Sequence, residues 1–233
     1  MTHCGPASRR IEQRPRAYPP GGFMDLESPV NILPQCQGSS ALEAGARIAN
    51  GRGVPGVLGA VAILRHDGAP VLLSSHHVLF GGGAVAGEPV WSMPSLQRLG
   101  STLYGTLGGV TRGGRACHVD CAVASIDGDV PDWQLERPPP RVQPGAIVSL
   151  DGGACGGVAH VRDLDGAPGQ ILVRPMVAGE PFSVEGDSGA VLRDQDGAAV
   201  GLVWGATPAG ETIASPLGPV LDVLGIDLVR LQT

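Results

Sequence analysis

From "GARIANG" at residues 45–51 onward the chain is a succession of short apolar runs, each ended within a few residues by Gly, Asp or Pro. Examples are "GVLGAVAIL", "PVLLSSHHVL", "EPVWSM", "HVDCAVASI", "QILVRPM" and "AAVGLVWG". Runs this short, bounded by turn residues, match strands better than helices. The turn formers are numerous, Gly 37 and Pro 21 of 233 residues, yet 42% of the chain is hydrophobic, which separates it from disordered low-complexity sequence. The expectation is an all-β protein, long enough for one large domain or two small ones.

Several local features refine that outline. Two apolar runs flank Asp67-Gly68, a dipeptide suited to a hairpin turn. Helical spacing is confined to "SPLGPVLDVLG", with Ser215 as candidate N-cap, Pro216 at the first position and Gly225 as the stop. The least strand-like interior stretch, residues 127–143, contains three consecutive prolines, which cannot donate to a sheet ladder. It reads as a linker between two groups of strands, residues 43–126 and 144–233. Residues 1–42 are polar, Pro-rich and aperiodic, and read as a flexible N-terminal arm or pro-segment.

Charge and cysteine usage exclude some functions. A net charge of −6 with no basic run argues against nucleic acid as partner, and no apolar stretch is long enough to span a membrane. All 16 basic residues are Arg, which suits a GC-rich coding bias. Cys117 and Cys121 flank His118, but no second ligand pair at metal-binding spacing accompanies them, so neither a metal nor another cofactor is expected. Buried free thiols are the expected state of the five cysteines. The N-terminus lacks the apolar core of a secretory signal, and the expected location is the cytoplasm.

The sharpest chemical signal is "EGDSGA", residues 185–190. A serine bracketed by glycines in a tight turn exposes its hydroxyl and lets neighbouring N–H groups converge, the pairing that nucleophilic acyl transfer needs. An α/β-hydrolase would carry its histidine after the serine, whereas the last histidine here, His160, precedes Ser188. The order His, Asp, Ser remains. Upstream, "SSHHV" offers two adjacent histidines at the end of an apolar run. On a strand they would point to opposite faces, so one of them would be a bystander.

Three separated motifs, taken together, resemble the trypsin/chymotrypsin-like serine peptidases, in particular the short bacterial members. "SSHHV" is similar to the family's histidine segment, where the catalytic His directly precedes Val or Cys, and so selects His77 over His76. "VDCAVA" matches the aspartate segment at Asp120, and "GDSGA" the serine segment at Ser188. Intervals of 43 and 68 residues separate the three, the second of them short, as in compact bacterial members. The resemblance spans about residues 45–230. It implies two six-stranded antiparallel barrels and a short C-terminal helix, with His77 and Asp120 on the first barrel and Ser188 on the second. It further implies that Ser188 attacks the scissile carbonyl, His77 carries the proton, Asp120 holds the imidazole tautomer, and the Gly186 and Ser188 N–H groups form the oxyanion hole.

By the same resemblance Phe182 falls at the floor of the specificity pocket, Glu185 at its rim, and Val203, Trp204 and Gly205 along a wall where an extended substrate can pair. Phe182 in place of an acidic residue implies a small or apolar side chain on the acyl side of the cut bond. Ala190 stands where mammalian-type trypsins have a second Gly, and the cysteines do not match their disulfide pairs. "ARIANG" superficially resembles a zymogen cleavage site, in which a new amino group at Ile48 would pair with Asp187. The alternative, an ordinary first strand, is favoured because Ile48 is only 29 residues from His77. The expected partner is a protein or peptide substrate. Alternatives are a catalytically silent relative that binds peptides in the same cleft, and an esterase using the same triad.

Overall fold

A computed structural model of the chain describes residues 42–93, 95–150 and 156–232. All lie in one compact unit, Gly38–Thr233. The expected arm, apart from Leu42, lies outside the described residues, as do Cys4, Cys36 and Cys155.

The first half begins with β1 (Arg47–Asn50), β2 (Pro55–Val57), β3 (Ala60–Leu64) and β4 (Pro70–Ser74). The hairpin expected at Asp67-Gly68 joins β3 to β4. Gly68 takes φ 76° and the Asp67 carboxylate accepts from the Ala69 N–H at 2.9 Å. One helical turn, α1 (His76–Leu79), follows, then β5 (Pro89–Ser92), β6 (Arg98–Arg112) and β7 (Arg115–Ser125). The last two form a long hairpin closed by Gly113-Gly114, both at positive φ, as a two-residue loop matching the strand twist requires.

β8 (Trp133–Leu135) lies inside the segment read from sequence as a linker. It pairs with the last strand of the chain, so this segment also extends a sheet. Glu136 beside it anchors the connection, with both carboxylate oxygens on Arg193 at 2.8 and 2.9 Å.

The second half comprises β9 (Ile147–Leu150), β10 (Gly156–Leu164), β11 (Ala167–Pro175), β12 (Val191–Asp194), β13 (Ala199–Ala206) and β14 (Thr212–Pro216). These close into a six-stranded antiparallel barrel in the order β10-β11-β14-β13-β12-β9. Then come α2 (Leu217–Leu224) and β15 (Ile226–Leu231). The strands of the first half, together with β8 and β15, form a nine-stranded sheet, ordered β2-β1-β5-β6-β7-β4-β3-β15-β8.

The sequence grouped all of residues 144–233 with the second barrel, but β15 returns to β3 of the first sheet. Leu228 and Val229 are buried there, and their pairing costs less loop entropy than their sequence distance suggests.

The α2 helix stops at Gly225, whose φ of 65° and ψ of 40° are left-handed, as the sequence implied. Its start differs. Ser215 belongs to β14 and does not cap; Pro216 holds the N-cap position with extended φ and ψ. Leu217, Val220, Leu221 and Leu224 form one buried face, which packs with Val119, Cys121 and Leu202 in a core shared by both halves. The two halves therefore meet through continuous apolar packing. Among the described residues no helix is long and apolar enough to cross a membrane.

Candidate active site

Strand β4 ends at Ser74, Ser75 leads into α1, and both serines are fully buried with hydroxyls that bind elsewhere. Ser74 Oγ donates to Val57 O at 2.7 Å on β2, and Ser75 Oγ donates to Val203 O at 2.8 Å on the second barrel. The chain then turns helically: the Leu79 N–H bonds to Ser75 O at 3.1 Å and the Phe80 N–H to His76 O at 2.7 Å. The two histidines thus sit on a helical turn and not on a strand, and diverge by roughly 100° and not by a strand's half turn. They still part company. His76 stacks on Phe80, four residues on, with ring centroids 5.1 Å apart. Its ring occupies room left by Gly105, where a methyl group would come within 2.9 Å of His76 Cδ2. Desolvation lowers the His76 pKa, against a smaller opposing pull from Asp120.

His77 faces Asp120. Nδ1 lies 2.7 Å from Oδ2, and the His77 main-chain N–H donates to Oδ1 at 3.1 Å. The Asp120 side chain is 4% exposed and that of His77 38%, so the carboxylate is enclosed while the ring's far edge meets solvent. A carboxylate accepting at Nδ1 puts the ring proton there and leaves Nε2 with a lone pair.

Ser188 sits on the turn before β12. Gly186 and Gly189 flank this turn at φ 93° and 97°, a left-handed backbone that side chains resist. Gly189 is required for space as well: a methyl group there would lie 2.2 Å from Ser74 Oγ and 2.4 Å from Val57 O. The turn is pinned to both halves, by the Val57 N–H on Ser188 O at 2.9 Å and the Gly189 N–H on Val203 O at 2.8 Å. A methyl group on Gly56 would meet Val78 Cγ2 at 2.5 Å and Ser188 O at 2.9 Å, so Ser188 lies close to the residue following His77. Among the described residues the Gly186 and Ser188 N–H groups donate to no protein acceptor, and no hydrogen bond joins Ser188 Oγ to the His77 ring.

The remaining sequence-derived site residues separate. Val203 is buried, and β12 pairs with β13 only as far as Leu202, so the chain at Trp204 and Gly205 runs past its neighbour on that side. The Phe182 ring is buried in the barrel core, where a methyl group on Gly157 would meet Phe182 Cδ2 at 2.7 Å. Beside it, the Ser183 and Thr212 hydroxyls are hydrogen-bonded to each other. Glu185 is exposed.

Sequence reasoning missed Gln170. It is fully buried, accepts from Trp204 Nε1 at 2.8 Å and donates to His118 O at 2.9 Å, bridging the two halves. A lone Gln opening the apolar run "QILV" was the available signal. His118 lies against Trp204, ring centroids 5.4 Å apart, while Cys117 and Cys121 are buried in the shared core. Burial pushes their thiol pKa values up to about 11 and about 12.

No family model matches the chain, and no curated protein matches it in sequence. Solved structures do. The Nocardiopsis protease NAPase superposes with a TM-score of 0.56 at 18% identity, over 80% of this chain and 98% of that one. The likeness establishes the fold, that of trypsin/chymotrypsin-like serine proteases. The Rv3671c protease in its inactive form matches at a TM-score of 0.41 and 20% identity, over 79% of this chain and 91% of that one, and adds no weight to this assignment.

Proposed function

We propose that the chain is a serine endopeptidase that makes limited cuts in protein substrates. The observation that carries this reading is the His77–Asp120 pair, 2.7 Å between Nδ1 and Oδ2, beside a serine turn whose Gly186 and Ser188 N–H groups are unspent. In this mechanism His77 Nε2 removes the Ser188 Oγ proton as the hydroxyl attacks the substrate carbonyl. The tetrahedral oxyanion is met by the two N–H groups, and the imidazolium, stabilised by Asp120, returns the proton to the leaving amine. Water repeats the sequence on the acyl-enzyme. Catalytic hydrogen bonds often tighten only once substrate is bound, which accommodates the unmade Ser188–His77 contact.

An extended substrate would pair along Trp204 and Gly205, with Glu185 at the rim. With the Phe182 ring turned into the core and no acidic group at that position, a small or apolar side chain would enter beside Ser188. The two buried free thiols, Cys117 and Cys121, fit a reducing compartment such as the cytoplasm.

A second reading, a peptide-binding protein without turnover, is favoured by the missing Ser188–His77 hydrogen bond. Labelling with a fluorophosphonate probe separates the two. The peptidase reading expects label on Ser188 that is lost in His77→Ala and kept in His76→Ala. Absence of label on the wild-type protein supports the binding reading. Replacing Ser188 with Ala should lower turnover by about a millionfold, by analogy with another serine protease.

A further inference from the structure

The Trp204 ring, set along the proposed substrate wall, is not aimed by the sheet that carries it. β13 pairs with β14 at Val203 and Ala214 and next at Gly205 and Ile213, and with β12 only as far as Leu202. Trp204 is thus left without a register partner on either side, the extra residue of a β-bulge, which redirects a side chain. Val203 just before it is tied to both turns of the site. Its carbonyl accepts from the Gly189 N–H and from Ser75 Oγ, each at 2.8 Å. The backbone is therefore pinned where the serine and histidine segments meet, while the direction of the indole is left to other groups.

Gln170 is one of them. Trp204 Nε1 donates to Gln170 Oε1 at 2.8 Å, and Gln170 Nε2 donates to His118 O and to Pro168 O, both at 2.9 Å. An indole N–H only donates and a carbonyl only accepts, so the amide has one satisfied orientation, with both its hydrogens used. Gln170 is fully buried, whereas Trp204 is partly exposed.

The anchor of this amide lies on the other half of the molecule. β11 begins hard against β7, where a methyl group on Gly169 would lie 3.0 Å from Ala116 O. His118 and Asp120 stand two residues apart on β7, so their side chains leave the same face. The His118 ring itself reaches Trp204, with centroids 5.4 Å apart and planes inclined at 44°. A glutamate at position 170 would accept from the indole but offer no proton to the two carbonyls. A methionine would fill the space and make none of these bonds.

We infer that Gln170 is a positioning residue for substrate selection. It ties the indole of Trp204 to the strand that carries Asp120, and so makes hydrolysis depend on acyl-side substrate residues beyond the one at the cut. The inference rests on the peptidase reading. A buried amide that only filled the interface would support folding and leave the choice of substrate alone.

The test uses the full chain and the nitrophenyl esters of acetyl-alanine and acetyl-tetra-alanine. Active molecules are counted by fluorophosphonate labelling, so that misfolded protein does not enter the rates. The quantity read is kcat/KM for the tetrapeptide divided by that for the single residue. In Gln170→Met this ratio should fall by about tenfold, within what a small misplacement of substrate costs. Trp204→Phe keeps a ring but gives up the N–H. It breaks the same bond from its exposed end, and should lower the ratio by a similar factor even if Gln170→Met folds poorly. Adding Gln170→Met to Trp204→Phe should lower it no further, since that bond is already gone. A ratio in Gln170→Met within about twofold of wild type overturns the inference while leaving the peptidase reading standing. So does a wild type that does not prefer the tetrapeptide, or an undiminished effect of Gln170→Met in the Trp204→Phe background. No label and no turnover in wild type overturns both.

Discussion

Asp120 holds His77 twice, through the ring Nδ1 at 2.7 Å and through the main-chain N–H at 3.1 Å, so both carboxylate oxygens are committed to one residue. The contact fixes ring orientation and tautomer together. It also joins β7 to the turn after β4, two elements brought side by side by their direct pairing from Val71 to Ser74.

Replacing Asp120 with Asn keeps the shape but lets an amide N–H face Nδ1, which favours the tautomer with the proton on Nε2. Turnover should fall by about ten-thousandfold, with partial recovery at high pH. Steady-state kinetics across pH checks this. A loss below tenfold would remove Asp120 from the mechanism.

Acid should destabilise the protein partly through His76. Burial lowers its folded pKa below the ordinary 6.5, so as pH falls through that value the unfolded chain takes up a proton the folded one resists. Stability is then lost on acidification. His76→Phe, which retains an aromatic ring against Phe80, should show a flatter dependence of Tm on pH between about 7 and 5. Parallel curves for the variant and wild type would show that His76 does not contribute.

The raised thiol pKa values of Cys117 and Cys121 leave almost no thiolate near neutrality, and both groups are buried. Iodoacetamide at pH 8 should leave them unmodified in native protein and alkylate them in denaturant, as site-resolved mass spectrometry would read. The folded pKa exceeds the unfolded one, so their contribution to stability is present below about pH 9 and lost as pH rises towards 11–12. Rapid native alkylation would mean that the core shared by the two halves opens readily.

Much of this protein is legible in its sequence because the governing physics is local. Alternating and short apolar runs specify strands, Asp67-Gly68 specifies a hairpin, and Gly225 ends a helix, since each acts within a few residues of itself. The histidine, aspartate and serine segments are recognisable for the same reason. The chemistry proposed for them demands particular neighbours, such as the glycines on either side of Asp187-Ser188.

What the tertiary structure alone decided are relations between residues far apart in the chain. Arg47 finds Asp187 across 140 residues, Gln170 holds Trp204 across 34, and β15 joins β3 rather than the barrel it follows. No local propensity encodes such partners. They are selected when two sheets dock, because burying Gln170 or Asp120 is tolerable only where a complementary group is already waiting, and the shared apolar core determines which groups meet. Even the adjacent histidines divided by this rule. His77 turned to the buried Asp120 carboxylate, while His76 settled against Phe80.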